Sequence, residues 1–374
     1  MKQLGMRCNI KNRAPLLLME TIRVPVRWLV LLCLFSTIAN AQSTEKSPVG
    51  LFDSDDVLTL RFSGEIRALM KDRSDDMQYH PITLSYLTMD SVKVSVPVKV
   101  KTRGHFRRTQ GNCRYPPLLL NFSKGTTPKN SIFENQDKLK LVTPCTDDKY
   151  VVYEYLVYKL FNLITEKSFR VRLVNVIYDD SGKESSPQYG ILLEDEDDMA
   201  RRNNTIIIED KLVRPEQTKR DDFLKMAVFE YLIANTDWSV QYYQNIKLIA
   251  SDTMSIPSTI PYDFDHAGIV DAPYAKPAPE LLLSSTRERR YRGYCVTDMS
   301  LFDETFTFFN QKKEEIYNVY TKCALLDRGY IKSTVKFLDQ FYSTINDKKS
   351  VARDFGYPCD ESGTGNVVIK GLKE

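Results

Sequence analysis

The clearest structural signal in this 374-residue chain is the run Val92-Lys93-Val94-Ser95-Val96-Pro97-Val98-Lys99-Val100. Its valines alternate with Lys, Ser and Pro, and this period of two predicts a strand with one buried face. Proline cannot donate a hydrogen bond to a neighbouring strand, so we expect Pro97 to lie at a sheet edge or at a bulge. The preceding Met89-Asp90-Ser91 is typical of a turn.

Strand-like patterns extend on both sides of this run, from Val57 to Glu194. Further strands are predicted at 57–62, 82–87, 117–122, 138–143, 171–178 and 189–193. One helix interrupts them at 150–164, where Val152, Leu156 and Leu160 recur at helical spacing. The turn-prone Asp179-Asp180-Ser181-Gly182 predicts a hairpin with a long loop between the last two strands.

From Asp195 onward the patterns are mostly helical, with helices predicted at 221–234, 303–325 and 330–345. The chain is therefore predicted to be α+β, with a sheet-rich N-lobe at 55–194, a helical C-lobe at 195–346 and a C-terminal tail at 347–374. This order is that of a protein-kinase-like two-lobed fold, although many other α+β enzymes share it.

The first 41 residues are predicted to be a secretory signal peptide with an N-terminal extension. Arg23 and Arg27 precede the apolar run Trp28–Ile38, which ends in the small-residue pattern Ala39-Asn40-Ala41. The run is about half the roughly 20 apolar residues that a spanning helix needs, so we expect no transmembrane anchor. We expect export to a periplasmic or extracellular location, with residues 42–54 as a linker.

Removal of this segment changes the charge of the chain. Six of the 52 Lys and Arg and one of the 49 Asp and Glu lie within it, so residues 42–374 carry 46 basic and 48 acidic side chains, a net charge of −2. A nucleic-acid-binding surface needs a basic excess that this balance lacks, so nucleic acid is not an expected partner.

Five cysteines remain after the leader: Cys113, Cys145, Cys295, Cys323 and Cys359. None forms a CxxC pair and the chain has only three histidines, which disfavours a zinc site or a Cys/His nucleophile. An oxidising compartment favours disulfides, and the odd count leaves at least one thiol free or paired between molecules. The first two cysteines flank predicted strands, and antiparallel pairing of these strands would join them in a disulfide.

Polar side chains at the ends of three short apolar runs form the candidate functional site. The runs are Ile233–Trp238, Gln244–Leu248 and Ile260–His266, and they contain Asp237, Asn245 and Asp263 respectively. Phosphoryl transfer needs an Asp that orients the attacking hydroxyl, together with an Asn and an Asp that hold magnesium. The pattern therefore favours a kinase-like site.

The same residues carry a family resemblance. Arg103-Gly104, Lys138–Leu141, Glu154–Tyr158 and Tyr189–Glu194, together with the three polar residues above, resemble the spore-coat CotH family of atypical kinases. The second half is also similar to HipA-type kinases, which place a catalytic Asp and a downstream Asn before a further metal-binding Asp. The resemblance implies ATP with Mg²⁺ or Mn²⁺ as cofactors and a protein hydroxyl, in an acidic context, as the acceptor.

The resemblance also implies a role for individual residues. Asp237 would orient or deprotonate the acceptor hydroxyl, Asn245 and Asp263 would bind magnesium, and Asp265 would be a second metal ligand. The first half of the chain would supply the nucleotide side of the site. Lys140 would contact the phosphates, Glu154 would hold the Lys140 side chain, and Arg103 would be a further phosphate contact. Lys138 lies on the same strand face and is the alternative to Lys140.

Two features depart from the general kinase pattern. Asn245 follows Asp237 by eight positions, further than the usual catalytic-loop spacing, and the chain has no GxGxxG. Three functions therefore stay open: an exported ATP-dependent protein kinase, a nucleotide-binding pseudokinase, and a non-catalytic exported binding or structural protein.

Each candidate residue also has a purely structural interpretation. Asn235 to Asp237 could simply end a helix, Asp263 and Asp265 could belong to a turn, and Lys140 and Glu154 could be solvated surface residues. The acidic run 194–198 is typical of a helix start rather than a calcium loop. The arginine-rich 287–293 could grip a phosphate or form a salt-bridged loop.

Overall fold

Eight strands of the first half form one sheet in the computed structural model, which describes residues 50–123, 125, 127–129, 131–209, 213–356 and 359. The predicted signal peptide, most of the linker and most of the residues after 356 lie outside the described residues. The strands are β1 Leu58–Gly64, β2 His80–Leu87, β3 Lys93–Thr102, β4 Leu118–Asn121, β5 Lys138–Val142, β6 Val171–Asp180, β7 Lys183–Glu184 and β8 Gln188–Leu193.

The sheet closes on itself. Its order is β1-β2-β3-β4-β5-β8-β6-β7, and β6 also pairs with β1 in parallel, from Leu58 opposite Val174 to Ser63 opposite Asp179. All other pairings in this sheet are antiparallel. The sheet-rich first half confirms that part of the α+β prediction, but a closed sheet differs from the sheet expected for a kinase N-lobe.

The alternation predicted for β3 is observed. Val96, Val98 and Val100 are buried inside the closed sheet, whereas Lys93 and Lys99 on the opposite face are exposed. Because successive side chains of a strand point to opposite faces, the same rule buries Leu139 and Leu141 of β5 and turns its lysines outward. The apolar interior of the closed sheet thus leaves the basic residues on its outer face.

β3 lies in the interior of the sheet order, but at Pro97 it has a neighbouring strand on one side only. It is opposite Thr83 of β2, and among the described residues β4 pairs with β3 only from Lys99 to Thr102. The missing N–H of Pro97 is therefore tolerated, because the strand is an edge at that position.

The hairpin after β6 is tighter than predicted. Asp180 of β6 pairs with Lys183 of β7, so the turn consists of Ser181 and Gly182 alone. Both have positive φ, 53° and 87°, as expected for a two-residue turn that follows the right-handed twist of the strands. The residues between β7 and β8 then complete the connection that the sequence suggested as a long loop.

Six of the eight α-helices in the described residues lie in the second half. They are α1 Ile66–Lys71 and α2 Lys149–Ile164 in the first half, then α3 Glu196–Arg202, α4 Arg220–Ile233, α5 Asp303–Gln311, α6 Lys313–Thr321, α7 Arg328–Ile345 and α8 Lys348–Phe355. A small antiparallel sheet in the order β11-β10-β9 consists of β9 Ile206–Ile208, β10 Ile246–Ala250 and β11 Ser258–Pro261. The mixed α+β prediction is confirmed.

Two helical boundaries differ from the prediction. The helix expected at 303–325 is divided at Lys312, within a polar run that offers no apolar side chain to pack. Phe309 and Ile316 are nevertheless both buried, so the helical period continues across the break and the sequence alone predicts one helix. Within the segment predicted as a tail, α8 packs through Val351 and Phe355.

Two disulfides are present among the described residues. Cys113 pairs with Cys145, as predicted, and the cause is the expected one: β4 and β5 are antiparallel, with Leu118 opposite Leu141. Cys295 pairs with Cys359, and Cys323 is a free thiol. These pairings agree with an oxidising compartment. No helix in the described part of the chain is long and apolar enough to cross a bilayer.

Candidate active site

The end of α4 positions Asp237. The helix stops at Ala234, whose left-handed φ of 53° lets its N–H reach the carbonyls of Glu230 and Tyr231. The Asn235 side chain then accepts a hydrogen bond from the Asp237 N–H at 3.0 Å. This is the helix-end structure that the sequence offered as the alternative interpretation, and it holds Asp237 half-buried at the start of the next loop.

Asn245 meets Asp237 in spite of the eight-residue spacing. Its Nδ2 donates to the Asp237 carbonyl at 2.7 Å and to Asp237 Oδ2 at 3.2 Å. The intervening chain folds back, with Ser239 bridged to Gln244 and Asn245 itself at a φ of 53°. The long spacing therefore does not separate the two predicted residues.

Asp263 follows β11 in a left-handed conformation, with a φ of 64°. Its N–H donates to Tyr158 Oη of α2 at 2.8 Å, which fixes the strained residue against the first half of the chain. Burial and the neighbouring Asp265 raise the pKa of Asp263, and the charges of Arg107 and Arg103 oppose this shift.

Asp265 is buried and already has partners. Tyr274 Oη donates to Asp265 Oδ2 at 3.0 Å, and Arg107 Nη1 lies 3.6 Å from the same oxygen. The carboxyl is thus a counter-ion for Arg107, which reaches it from the segment between β3 and β4.

Glu154 lies deep in the same cluster. Its side chain is 1% exposed, and burial together with Asp265 and Asp263 raises its pKa well above the usual value, opposed by Arg107. Its Oε1 has no hydrogen-bond partner among the described residues. The structure therefore rules out a solvated surface position and joins Glu154 to the two aspartates.

Lys140 lies on the other side of the site and is paired with Glu196 of α3. Its Nζ is 3.6 Å from Glu196 Oε2 and 5.5 Å from the centre of the Tyr262 ring, and Lys247 Nζ approaches the same glutamate oxygen at 2.7 Å. Burial lowers the pKa of Lys140, as do the charges of Arg103 and Lys247, while Glu196 opposes the shift. The ion pair of Lys140 is therefore with Glu196 rather than with Glu154.

The pKa of the Asp237 carboxyl lies above its ordinary value. Burial raises its pKa, and the charge of Asp263 acts in the same direction; His266, Arg292 and the Asn245 hydrogen bond oppose this. A carboxylate whose pKa lies above its ordinary value is a better proton acceptor near neutral pH. Arg292 also donates to the carbonyls of Thr236 and Trp238, so it supports the loop that carries Asp237.

The structure thus places the predicted residues in two adjoining groups. The acidic group consists of the carboxyl groups of Asp237, Asp263, Asp265 and Glu154, together with the amide of Asn245. The cationic group consists of Lys140, Arg103 and Lys247. The charge of Arg103 acts on both Lys140 and Asp263, and Tyr262 precedes Asp263, so the two groups adjoin. Lys138, the alternative to Lys140, is exposed and has no ion pair within the described chain.

Sequence reasoning missed three charged residues of this site: Arg107, Glu196 and Lys247. A weak signal existed for two of them. Lys247 follows Asn245 by two positions, in the strand β10 that begins directly after Asn245, and Glu196 lies in the acidic run at the start of α3. Arg107 lies in a segment without periodicity, and only the fold brings it to Asp265.

The two charge-rich runs have structural roles. Glu194 pairs with Arg202 at 2.9 Å and Asp195 caps α3 by accepting from the Asp197 N–H, so the acidic run is a helix start. In the arginine-rich run, Arg289 donates to the carbonyls of Leu232 and Phe337 and is largely buried. This arginine therefore supports the fold instead of binding an external phosphate.

The donor set fits magnesium or manganese in kind, because carboxylate and amide oxygens are the ligands these ions prefer. Within the described residues, however, no three His, Cys, Asp or Glu side chains are grouped so as to hold a metal. Magnesium commonly takes one or two carboxylates and completes its shell with nucleotide phosphates and water. Asp263 and Asn245 would supply the protein ligands in such a shell.

No protein-family model and no curated protein matches this chain. Among solved structures, the chain is similar to a Helicobacter pylori proinflammatory kinase, CtkA, with a TM-score of 0.39 and 10% sequence identity over 70% of this chain and 95% of that chain. The likeness is to a kinase, and it assigns this chain to no particular family.

Proposed function

We propose that this protein is an exported ATP-dependent phosphotransferase that acts on a protein hydroxyl. The observation that carries the proposal is the meeting of Asp237, Asn245 and Asp263 from three separate segments, with the charges of Arg103 and Arg107 acting on Asp263. Phosphoryl transfer needs both parts, since the triphosphate requires cations and the acceptor requires an aspartate.

Each residue has a defined task in this proposal. Asp237, with its raised pKa, accepts the proton of the acceptor hydroxyl or orients it. Asn245 holds the Asp237 carboxylate in place at 3.2 Å. Asp263 and Asn245 would hold magnesium, which supplies charge neutralisation for the phosphates when bound. Arg103 contacts the nucleotide phosphates, whereas Lys140, the strand lysine first expected to do so, is paired with Glu196.

A nucleotide-binding pseudokinase is the second candidate. The observation that favours it is the hydrogen bond from Asn245 Nδ2 to the carboxylate of Asp237. This contact occupies an oxygen that a general base would use, and it lowers the pKa of Asp237 against the effect of burial. Both candidates share nucleotide binding, and phosphate transfer separates them.

The test uses residues 42–374 produced with their disulfides formed. Thermal unfolding with ATP and Mg²⁺ or Mn²⁺ measures binding, and radiolabelled ATP measures transfer to the protein itself and to candidate exported proteins. Metal-dependent stabilisation with transfer supports the kinase. Stabilisation without transfer supports the pseudokinase, and the absence of both leaves a binding or structural protein.

A further inference from the structure

We propose that Arg107, rather than Lys140, is the cation that works with Glu154 and Asp263 and contacts the nucleotide phosphates. The inference rests on the proposed function, because it concerns the nucleotide side of the same site. It changes the assignment of the phosphate contact from a strand lysine to an arginine in the segment between β3 and β4.

Arg107 occupies the position between the carboxyl groups. Its side chain is 11% exposed, its Nη1 lies 3.6 Å from Asp265 Oδ2, and its Nη2 donates to the carbonyl of Thr143. The charges of Asp265, Glu154 and Asp263 all act on this guanidinium. One cation is thus shared by three carboxyl groups.

Lys140 is engaged elsewhere. Its ion pair is with Glu196, which also receives Lys247 at 2.7 Å. Removal of Lys140 therefore leaves Lys247 to neutralise Glu196. Removal of Arg107 takes away the guanidinium that lies 3.6 Å from Asp265 and whose charge also acts on Glu154 and Asp263.

The remaining hydrogen-bonding capacity points to an absent ligand. Arg107 Nε is buried and has no partner among the described residues, and the same is true of Glu154 Oε1. Buried polar atoms without a partner cost free energy, so they are rare unless a bound group supplies the missing hydrogen bond. A phosphate oxygen suits the guanidinium, whose planar fork of N–H donors matches it in geometry and charge.

Contacts on both sides of Arg107 hold its segment in place. The Arg103 N–H donates to the Pro117 carbonyl at 2.8 Å, the Phe106 ring lies 6.2 Å from that of Tyr274, and Cys113 is joined to Cys145. This chain has no GxGxxG, whose backbone N–H groups would surround the phosphates. Arg103 and Arg107 can supply side-chain donors in its place.

Arg108 provides a matched control. It belongs to the same segment and is 12% exposed, but its guanidinium bonds to the carbonyls of Gly104, Arg73 and Ser74 and pairs with Asp75. Arg108→Ala therefore disturbs the segment to a similar degree without removing the cation from the carboxyl cluster.

The experiment measures ATP affinity, with Mg²⁺ present, for residues 42–374 and the variants Arg107→Ala, Arg107→Lys, Arg108→Ala and Lys140→Ala. Melting temperature without nucleotide reports the fold. We expect Arg107→Ala to weaken ATP binding roughly ten- to a hundredfold, the loss of a hydrogen bond to a charged group. Arg107→Lys should recover part of this loss, because it keeps the charge without the fork. Lys140→Ala and Arg108→Ala should change affinity by less than about threefold.

Two other outcomes overturn the inference while the proposed function stands. In the first, Lys140→Ala abolishes ATP binding while Arg107→Ala binds as the parent does. In the second, Arg107→Ala and Arg108→Ala lose ATP affinity to the same extent. If both Arg107 variants fail to fold while Arg108→Ala folds, Arg107 serves the fold alone and the inference fails. A parent protein that binds no nucleotide removes the proposed function and the inference together.

Discussion

A substitution at Asp237 distinguishes a role in phosphate transfer from a role in nucleotide binding. Its proposed task is to position the acceptor hydroxyl, so Asp237→Ala should retain the ATP-induced thermal shift and lower the rate of transfer by a factor on the order of 10² to 10⁴. Single-turnover transfer with radiolabelled ATP measures the rate. Equal transfer by parent and variant would show that the residue only ends α4.

Asp263 is expected to determine metal-dependent binding. Asp263→Asn keeps the shape of the side chain and removes the charge that a magnesium ligand contributes, so nucleotide binding should lose its dependence on Mg²⁺. A titration of ATP with and without the metal measures this. A variant that binds as tightly as the parent would make Asp263 a turn residue, held by its bond to Tyr158.

Glu230 gives a prediction for stability against pH. Burial raises its pKa well above the usual value, the neighbouring Asp237 adds to this, and Asn235 and Arg292 oppose it. The folded state therefore binds a proton that the unfolded state has lost, and stability falls as pH rises from about 4.5 to the folded pKa.

The variant Glu230→Gln should remove this slope, at about 1.4 kcal/mol for each unit of pKa shift. Denaturant unfolding at several pH values measures it. If parent and variant lose stability in parallel as the pH rises, Glu230 is not the titrating group. A residual slope common to both proteins is expected from Glu154 and Asp263, whose pKa values are raised in the same direction, so the variant should show a shallower slope than the parent.

Among the elements, the pair β4 and β5 depends on the Cys113–Cys145 disulfide. The two cysteines are 32 positions apart, and closing such a loop restricts the unfolded chain by about 3 to 4 kcal/mol in the chain-entropy model. The double variant Cys113→Ser/Cys145→Ser should lower the free energy of unfolding by that amount. Cys323→Ser, which replaces the free thiol, should change it little.

The elements also show what the sequence can predict. β3, β5, α2 and α4 follow from their hydrophobic periods, and their bounds agree with the prediction to within about two residues. The break at Lys312 does not follow, because the buried period from Phe309 to Ile316 is continuous through it. Local pattern determines which face is buried, and it does not determine where two helices part.

For the whole molecule, the contacts that the sequence left unpredicted are those between distant segments. The parallel pairing of β1 with β6 joins residues more than a hundred positions apart and has no local signature. The ion pair of Lys140 depends on where α3 lies relative to β5, and the position of Arg107 depends on the path of an aperiodic segment. Asp237 and Asp263 were predicted because each ends an apolar run, whereas Arg107, which lies 3.6 Å from Asp265, was not.

Closure of the large sheet limits how a partner chain can attach. An extended peptide commonly binds by adding a strand to an open sheet edge, where unpaired N–H and C=O groups are available. In the described part of this protein the seven strands from β1 through β6 and β8 each have neighbours on both sides, but β3 has β2 alone beside Lys93–Val98. Open edges therefore remain at that part of β3, at the short β7, and at β9 and β11 of the small sheet. A partner chain that binds by strand addition is therefore confined to these short edges, and along the closed part of the sheet a partner can be recognised only through side chains.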